Sequence, residues 1–150
     1  MRVVIQKVRE ASVSIDRRLH SEIKAGLMIL LGIEIGDDKE DVQWLTKKIA
    51  QLRIFNDKQD KMNLSVNDIK GECLVISQFT LLASTKKGNR PSYIRSEKPI
   101  RSEKLYEYFI QKLQERIDTR IQTGIFGADM KVKLLNDGPV TIIIDSRIRE

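Results

Sequence analysis

Short runs of apolar residues, separated by polar breaks, fill the first 35 residues of the chain. Apolar and polar residues alternate in RVVIQKV, ASVSI and RLHSEI, whereas GLMILLGI is almost entirely apolar. Alternation with a period of two is typical of half-buried strands, and a short apolar run without alternation indicates a fully buried strand. The pattern therefore predicts a meander of consecutive strands.

Two later segments have the periodicity of helices. After Asp37, apolar residues recur every three or four positions, and Asp37 followed by Glu40 resembles a helix N-cap box, so we predict a helix over residues 38–52. A single apolar stripe predicts a second helix over residues 102–119. The stripe consists of Leu105, Tyr106, Phe109, Leu113 and Ile117.

The C-terminal segment ADMKVKLLNDGPVTIIID contains two apolar runs around the stretch NDGPVT, residues 136–141. An Asp-Gly pair between alternating hydrophobic residues is a strong hairpin signal, so this stretch is predicted to be a turn between two strands. Pro139 is unusual at this position, because proline has no N–H to donate to a sheet.

These elements define the expected fold. Strands outnumber helices and mostly follow one another without crossover helices, so we predict an α+β fold with a mainly antiparallel, curved or barrel-like sheet and two principal helices. No repeat, low-complexity segment or linker divides the chain, and residues 1–150 are expected to form one domain.

Composition narrows the class of protein. The chain has 41% hydrophobic and 32% charged residues, a globular balance, and no apolar run approaches the roughly 18 residues of a membrane span. The N-terminus lacks a secretory pattern, so we expect a soluble, cytoplasmic protein. Cys73 and His20 are the only residues of their types, which argues against a disulfide, an imidazole-based triad or a Cys/His zinc site. We expect neither a metal nor a cofactor.

Positive charge is concentrated in one segment. The chain has a formal net charge of +6, and residues 86–104 contain seven basic residues and two acidic ones. Such a cluster favours an anionic partner, of which nucleic acid is the leading candidate. Composition alone is equally compatible with a solvated loop that keeps the protein in solution.

The stretch SQFTL, residues 77–81, follows the apolar run LVI in a predicted strand. If the strand continues, Ser77 and Phe79 point to one face of the sheet, and Gln78 and Thr80 point to the other. Two interpretations are open. The stretch is either a solvated strand edge, or a strand end whose side chains and backbone N–H groups line a ligand pocket.

Three segments together, SQFTL, NRPS at residues 89–92 and NDGPVT, resemble the D-aminoacyl-tRNA deacylase family, whose signatures are SQFTL and N-x-G-P-V/F-T. The likeness extends over the whole chain. It implies a homodimeric enzyme that hydrolyses the ester joining a D-amino acid, or glycine, to the terminal ribose of tRNA. D-aminoacyl-tRNA is therefore the expected partner.

The resemblance also implies roles for individual residues. The Gly138-Pro139 peptide would be cis and would reach into the partner subunit's pocket, where its carbonyls would meet the substrate's amino group and exclude an L side chain. The residues around the terminal adenosine and the scissile ester would be Ser77, Gln78, Phe79 and Thr80, with Met130 nearby.

One position departs from the family pattern. The family usually has arginine in the QRV segment of the first strand, whereas this chain has Lys7 in QKV. Arginine is a planar fork with five donors and lysine is a point charge with three, so the two are not interchangeable. If this side chain steadies the Gly138-Pro139 element, we expect Lys7 to hold it less rigidly or to recruit another partner.

The chemistry implied by the resemblance needs little acid-base machinery. N–H donors such as those of Phe79 and Thr80 would stabilise the oxyanion that develops on the ester carbonyl. Two mechanisms remain open: Thr80 attacks the carbonyl, or the 2′-hydroxyl of the RNA assists a water molecule. We prefer the second, because no base lies beside Thr80 in the sequence to activate its hydroxyl.

The basic segment would bind the phosphates of the tRNA acceptor stem. The residues expected to make these contacts are Lys86, Lys87, Arg90, Arg95 and Lys98. Two other classes of protein remain compatible with the sequence: a non-catalytic RNA-binding module, and a small-molecule-binding homo-oligomer whose basic loop is only solvated surface.

Overall fold

The computed structural model describes residues 1–149. Its strands, in chain order, are β1 Arg2–Ile15, β2 Arg18–Ile23, β3 Gly26–Gly32, β4 Phe55–Asn56, β5 Met62–Leu64, β6 Glu72–Ser77, β7 Gln122–Thr123 and β8 Met130–Asp145. Its helices are α1 Lys39–Gln51 and α2 Pro99–Gln114. The expected α+β class with two principal helices is confirmed. None of the helices in residues 1–149 combines the length and apolar character needed to cross a membrane.

The long strand β1 is central to the main sheet. Its second half pairs with β2 and its first half with β3, both antiparallel, while β8 pairs antiparallel along its other edge. At the turn into β2, Asp16 and Arg17 have φ of 50° and 64°, the backbone of a tight hairpin. The meander prediction was wrong, because RVVIQKV and ASVSI form one strand and β3 pairs with β1 rather than with β2.

The rest of the sheet is parallel. β3 pairs with β6 and β6 pairs with β7, both in parallel, and the connections between them contain α1 and α2, as parallel pairing requires. A Cβ on Gly26 would lie 1.8 Å from the carbonyl oxygen of Glu72, so the first β3–β6 pair requires glycine. The predicted antiparallel character holds for the β1 pairings, and the complete sheet is mixed.

Both faces of the sheet are buried, which explains why GLMILLGI is apolar without alternation. Leu27 and Ile29 face a core beneath α1 and α2. Met28, between them, faces a second cluster with Leu74 and Ile76, against which Met130 of β8 packs. The sheet therefore curls back on itself, and the predicted barrel-like curvature is confirmed.

The helix boundaries differ from the predicted ones. Asp38, not Asp37, caps α1: its side chain accepts hydrogen bonds from the N–H groups of Glu40 and Asp41, and the carboxylate of Asp41 accepts from the N–H of Asp38. Asp37 is instead buried and forms an ion pair with Arg147.

The second helix lies earlier in the chain than the predicted 102–119. It begins at Pro99, because proline has the φ of a first helical residue and lacks only an N–H that would be unpaired there. It ends at Gln114, and the side-chain amide of Gln114 then donates to the carbonyls of Ile117 and Thr119.

The predicted hairpin at residues 136–141 is absent. β8 runs as a single strand along β1 through both apolar runs and the stretch between them. The Asp-Gly signal depends only on neighbouring residues. The two apolar runs do not pair with each other, as in a hairpin, but with different parts of β1. Residues 137–140 leave the ladder as a bulge, in which Pro139 has no ladder hydrogen bond to donate.

Candidate active site

A cavity of about 680 Å³ opens at the C-terminal end of β6. Its wall combines the end of β6 and the residues that follow it, the segment that leads into α2 with the first turn of that helix, and residues 126–130 and 132. Most of the wall is apolar. The apolar residues include Leu31, Ile33, Ile76, Phe126, Met130 and Val132.

Residues 77–81 do not form a strand throughout, contrary to the prediction. β6 ends at Ser77, and a 3₁₀ turn occupies Phe79–Leu82, with Leu82 fully buried beneath it. The tight turn ends the alternation of faces. Ser77, Gln78 and Phe79 therefore all line the cavity, whereas Thr80 is not among its lining residues.

The 3₁₀ turn presents two unpaired backbone donors. Gln78 N–H donates to the carbonyl of Leu31 at 2.7 Å, and Leu81 N–H donates to the carbonyl of Gln78. Among residues 1–149, no oxygen accepts a hydrogen bond from the N–H of Phe79 or of Thr80. Donors at the start of a helical turn have no partner within it, so this segment can bind an oxygen that acquires negative charge.

An aromatic pair forms the rim of the cavity. The rings of Phe79 and Tyr93 pack edge to face with centroids 4.9 Å apart, and the side chain of Ser96 donates to the carbonyl of Phe79 at 3.2 Å. Phe79 is nevertheless 55% exposed. An aromatic ring that is held in place by its neighbours and is still more than half exposed is suited to stacking on a flat base.

Three residues of the wall, Tyr93, Ser102 and Phe126, are not marked by any pattern in the sequence. Ser102 is almost completely buried in the first turn of α2, yet it lines the cavity. Phe126 packs against Tyr106, which belongs to the apolar stripe of this helix. Tyr93 is the one aromatic residue of the basic segment, residues 86–104.

The predicted residues of the C-terminal strand lie in two places. Met130 lines the cavity, whereas Gly138 and Pro139 do not. The Gly138-Pro139 peptide is cis, in agreement with the family resemblance, and both residues are exposed. Gly138 has φ of +128°, and a Cβ at this position would lie 2.8 Å from Cγ2 of Val140, so the bulge requires glycine there.

Lys7 contacts the residue that precedes this element. Its Nζ lies 3.7 Å from Oδ2 of Asp137 and 3.4 Å from Oδ1 of Asn56, and it lies above the ring of Phe55. The lysine therefore does recruit partners, one of which adjoins Gly138.

The basic segment divides into exposed and paired residues. Lys86, Lys87 and Arg90 are exposed in the loop closed by the Ser84–Ser92 bridge, and none of the three forms an ion pair within residues 1–149. Arg95 forms an ion pair with Glu34 at 3.0 Å. Lys98 lies in the wall of the cavity.

Neither Cys73 nor His20 contributes to the cavity. Burial in the core raises the pKa of the Cys73 thiol to about 12, so the thiolate needed for nucleophilic chemistry is not formed near neutral pH. His20 is exposed on β2.

Comparison with known proteins gives a consistent result. The model of the D-Tyr-tRNA(Tyr) deacylase family matches residues 4–145. The chain is 59% identical to the D-aminoacyl-tRNA deacylase of Flavobacterium psychrophilum and 58% identical to that of Bacteroides fragilis, in each case over 100% of both chains.

Two solved structures are similar to this fold. The c-Myc DNA unwinding element binding protein superposes with a TM-score of 0.92 at 37% identity, covering 97% of this chain and 98% of that one. A probable eukaryotic D-amino acid tRNA deacylase superposes with a TM-score of 0.77 over 95% of this chain and 97% of that one, and its 14% identity shows the shared fold alone. From the family match and the full-length relatives, the chain belongs to the D-Tyr-tRNA(Tyr) deacylase family of enzymes.

Proposed function

We propose that the protein hydrolyses the ester bond of D-aminoacyl-tRNA and releases the free D-amino acid and tRNA. Family membership supports the activity. The cavity at the end of β6 is the observation from which we infer where the reaction takes place. There, the N–H and the half-exposed ring of Phe79 adjoin an apolar pocket, and the N–H of the next residue, Thr80, also has no acceptor within residues 1–149. Such a site accommodates a base and a reacting carbonyl side by side.

Catalysis relies on positioning and on the two backbone donors. An aminoacyl ester is already activated, and holding the ester, the water and the ribose hydroxyl together contributes roughly 7 to 11 kcal/mol in favourable cases. Each donor to the oxyanion contributes roughly 3 to 4 kcal/mol more. The N–H groups of Phe79 and Thr80 take this role.

The hydroxyl of Thr80 is not the nucleophile in this proposal. It accepts a hydrogen bond from the side-chain amide of Gln78, and within residues 1–149 no histidine, lysine or carboxylate is hydrogen-bonded to it. Without a base, a threonine hydroxyl is a weak nucleophile. The 2′-hydroxyl of the terminal ribose assists the attacking water instead.

Selection against L-aminoacyl groups depends on a second copy of the chain. Gly138 and Pro139 project from the sheet but do not line the cavity of their own subunit, so they act in the cavity of the partner. Their carbonyls hold the amino group while the SQFTL segment holds the ester, and an L side chain is then directed into backbone. Glycine has no side chain to exclude, so glycyl-tRNA is also a substrate.

The outer edge of β8 supports the dimer. β8 pairs only with β1 within residues 1–149, so one edge of this 16-residue strand has no partner there. Leu135 and Ile143 on this strand are 53% and 68% exposed. A long unpaired edge with exposed apolar side chains is a typical surface for association.

Hydrolysis of paired substrates tests the proposal. Purified protein is incubated with D-Tyr-tRNA, L-Tyr-tRNA and Gly-tRNA, and the loss of each ester is followed over time. We expect rapid loss of the D-Tyr and glycyl esters and loss of the L-Tyr ester at the buffer rate. Binding of tRNA without cleavage of any ester would instead identify a non-catalytic RNA-binding module.

A further inference from the structure

The β1–β8 ladder is irregular on both strands beside Gly138. Gln6 pairs with Thr141 and Val8 pairs with Asn136, so residues 137–140 stand opposite a single residue of β1. The next pair joins Glu10 to Leu135, which leaves an extra residue on β1. The single residue is Lys7 and the extra residue is Arg9. Both lie beside the bulge of β8.

These two basic side chains converge on one carboxylate. Oδ2 of Asp137 lies 3.7 Å from Nζ of Lys7, and Oδ1 of Asp137 lies 3.1 Å from Nε of Arg9. The Lys7 side chain is only 10% exposed, whereas that of Arg9 is 72% exposed. An exposed ion pair contributes little, while a buried ammonium depends strongly on its partner. Lys7 is therefore the main contact.

The bulge is also braced within β8. The side-chain oxygen of Asn136 accepts from the N–H of Val140 at 3.0 Å, and its amide donates to Oγ1 of Thr141 at 3.2 Å. These bonds join the two ends of the bulge to each other. Within residues 137–140, the side chain of Asp137 forms ion pairs with β1, and that of Val140 is buried in the same core as Ile5 of β1.

We propose that Asp137 is a positioning residue, which orients the carbonyls of Gly138 and Pro139 by tying the bulge to Lys7 and, more weakly, to Arg9. The proposal rests on the proposed function, in which those carbonyls select the configuration of the substrate. Asp137 touches neither the substrate nor the reacting atoms. Its effect appears in the ratio of D to L hydrolysis.

The ratio of kcat/KM for D-Tyr-tRNA to that for L-Tyr-tRNA is measured for four variants. Asp137→Asn and Lys7→Gln are each expected to lower this ratio about tenfold, and the double variant to lower it no further, because the two residues act through one contact. Asp137→Glu retains the charge and restores part of the ratio.

Two controls separate this effect from a general loss of charge. Arg9→Gln removes the exposed contact, and we expect a change of less than about threefold. Glu115→Gln breaks a Lys112–Glu115 ion pair at the far end of α2 and leaves the ratio unchanged. Asp137→Asn leaves the buried ammonium of Lys7 without a carboxylate and could therefore fold poorly. The double variant lacks this ammonium, so it can be measured in place of the single variant.

Hydrogen exchange at the Val140 amide provides a readout without substrate. Asp137→Asn is expected to accelerate this exchange at least about tenfold relative to wild type, because the two ion pairs between Asp137 and β1 are lost. A wild-type D to L ratio in folded Asp137→Asn overturns the proposal. If the wild type cleaves neither ester, the proposed function fails. The positioning role is tested separately by hydrogen exchange, and it is overturned if the Val140 amide exchanges at the wild-type rate in Asp137→Asn.

Discussion

The side-chain amide of Gln78 donates a hydrogen bond to the hydroxyl of Thr80. The two residues flank Phe79, at the point where β6 ends and the 3₁₀ turn begins. This bond orients the hydroxyl but does not remove its proton, since an amide N–H group is a donor and not a base. The relationship bears directly on the choice between the two mechanisms.

Replacement of Thr80 by alanine distinguishes these mechanisms. We expect Thr80→Ala to retain more than about a tenth of the wild-type kcat/KM for D-Tyr-tRNA, because the backbone N–H remains. Loss of a true nucleophile costs on the order of 10⁴-fold or more. Single-turnover hydrolysis measures the chemical step, and Thr80→Ser is the control that keeps the hydroxyl. A collapse in rate for alanine with full activity for serine would establish Thr80 as the nucleophile.

Gly138→Ala tests the bulge. The new Cβ would lie 2.8 Å from Cγ2 of Val140 at a φ of +128°, so the backbone must shift. We expect the D to L ratio to fall about tenfold or more, because a filter based on steric exclusion depends on its position. Ester loss from both tRNAs measures this ratio.

Gly88→Ala is a matched control for that change. Gly88 has a similar φ of +137°, but a Cβ there would meet nothing within 4 Å. Both substitutions therefore place alanine in an unfavourable backbone region, and only one creates a close contact. An equal effect of the two substitutions on the ratio would contradict the role of the bulge.

The exposed basic loop should contribute to affinity and not to selectivity. We expect simultaneous replacement of Lys86, Lys87 and Arg90 by glutamine to weaken tRNA binding. The slope of log affinity against log salt concentration should fall by about two to three, since each phosphate contact contributes nearly one. Filter binding of uncharged tRNA over a series of salt concentrations measures the slope.

The control removes the same charge elsewhere. Lys47, Lys58 and Lys61 are exposed and lie outside the basic segment, so their replacement by glutamine should leave the slope nearly unchanged. The D to L ratio should be the same in both triple variants. Equal slopes would show that the loop makes no specific contribution.

Glu97, in the wall of the cavity, should make stability depend on acid pH. Its carboxylate accepts from the N–H of Lys98 and from the guanidinium of Arg101, and these bonds lower its pKa below the ordinary 4.5. The ionised form is thus favoured in the folded state, so this stabilisation is present above about pH 4.5 and is lost as pH falls through the lowered pKa.

Melting temperatures near pH 7 and near pH 4 check this expectation. Glu97→Gln should show a smaller decrease between the two pH values than the wild type. Glu103→Gln is the control, because Glu103 is exposed on α2, six residues further along the chain, and its side chain makes no hydrogen bond within residues 1–149. A decrease as large in Glu97→Gln as in the wild type would contradict the assignment.

The sequence predicted those features that depend on neighbouring residues. The spacing of Val42, Leu45 and Ile49 placed α1 correctly, with the cap displaced by one residue. The Asp-Gly pair at Gly138 led to the wrong prediction of a hairpin, because hairpin propensity is a local property. Pairing with the distant strand β1 instead keeps β8 as one strand. The pocket wall at Tyr93 and Ser102 was missed for the same reason, since the folded chain brings these segments together without a sequence pattern to mark them.

Because the β1–β8 ladder is irregular beside the bulge, the length of the bulge can change without disturbing the pairing of the two strands. Thr141 and Asn136 remain paired with β1 on either side of it, so a residue inserted among 137–140 would lengthen the projection and leave both pairings intact. A residue inserted between Gln6 and Val8 would instead change the register of one half of β1 against its neighbouring strands and turn its side chains to the opposite face. Changes confined to residues 137–140 can therefore alter how far the bulge extends towards another molecule, while β1 keeps its pairing on either side.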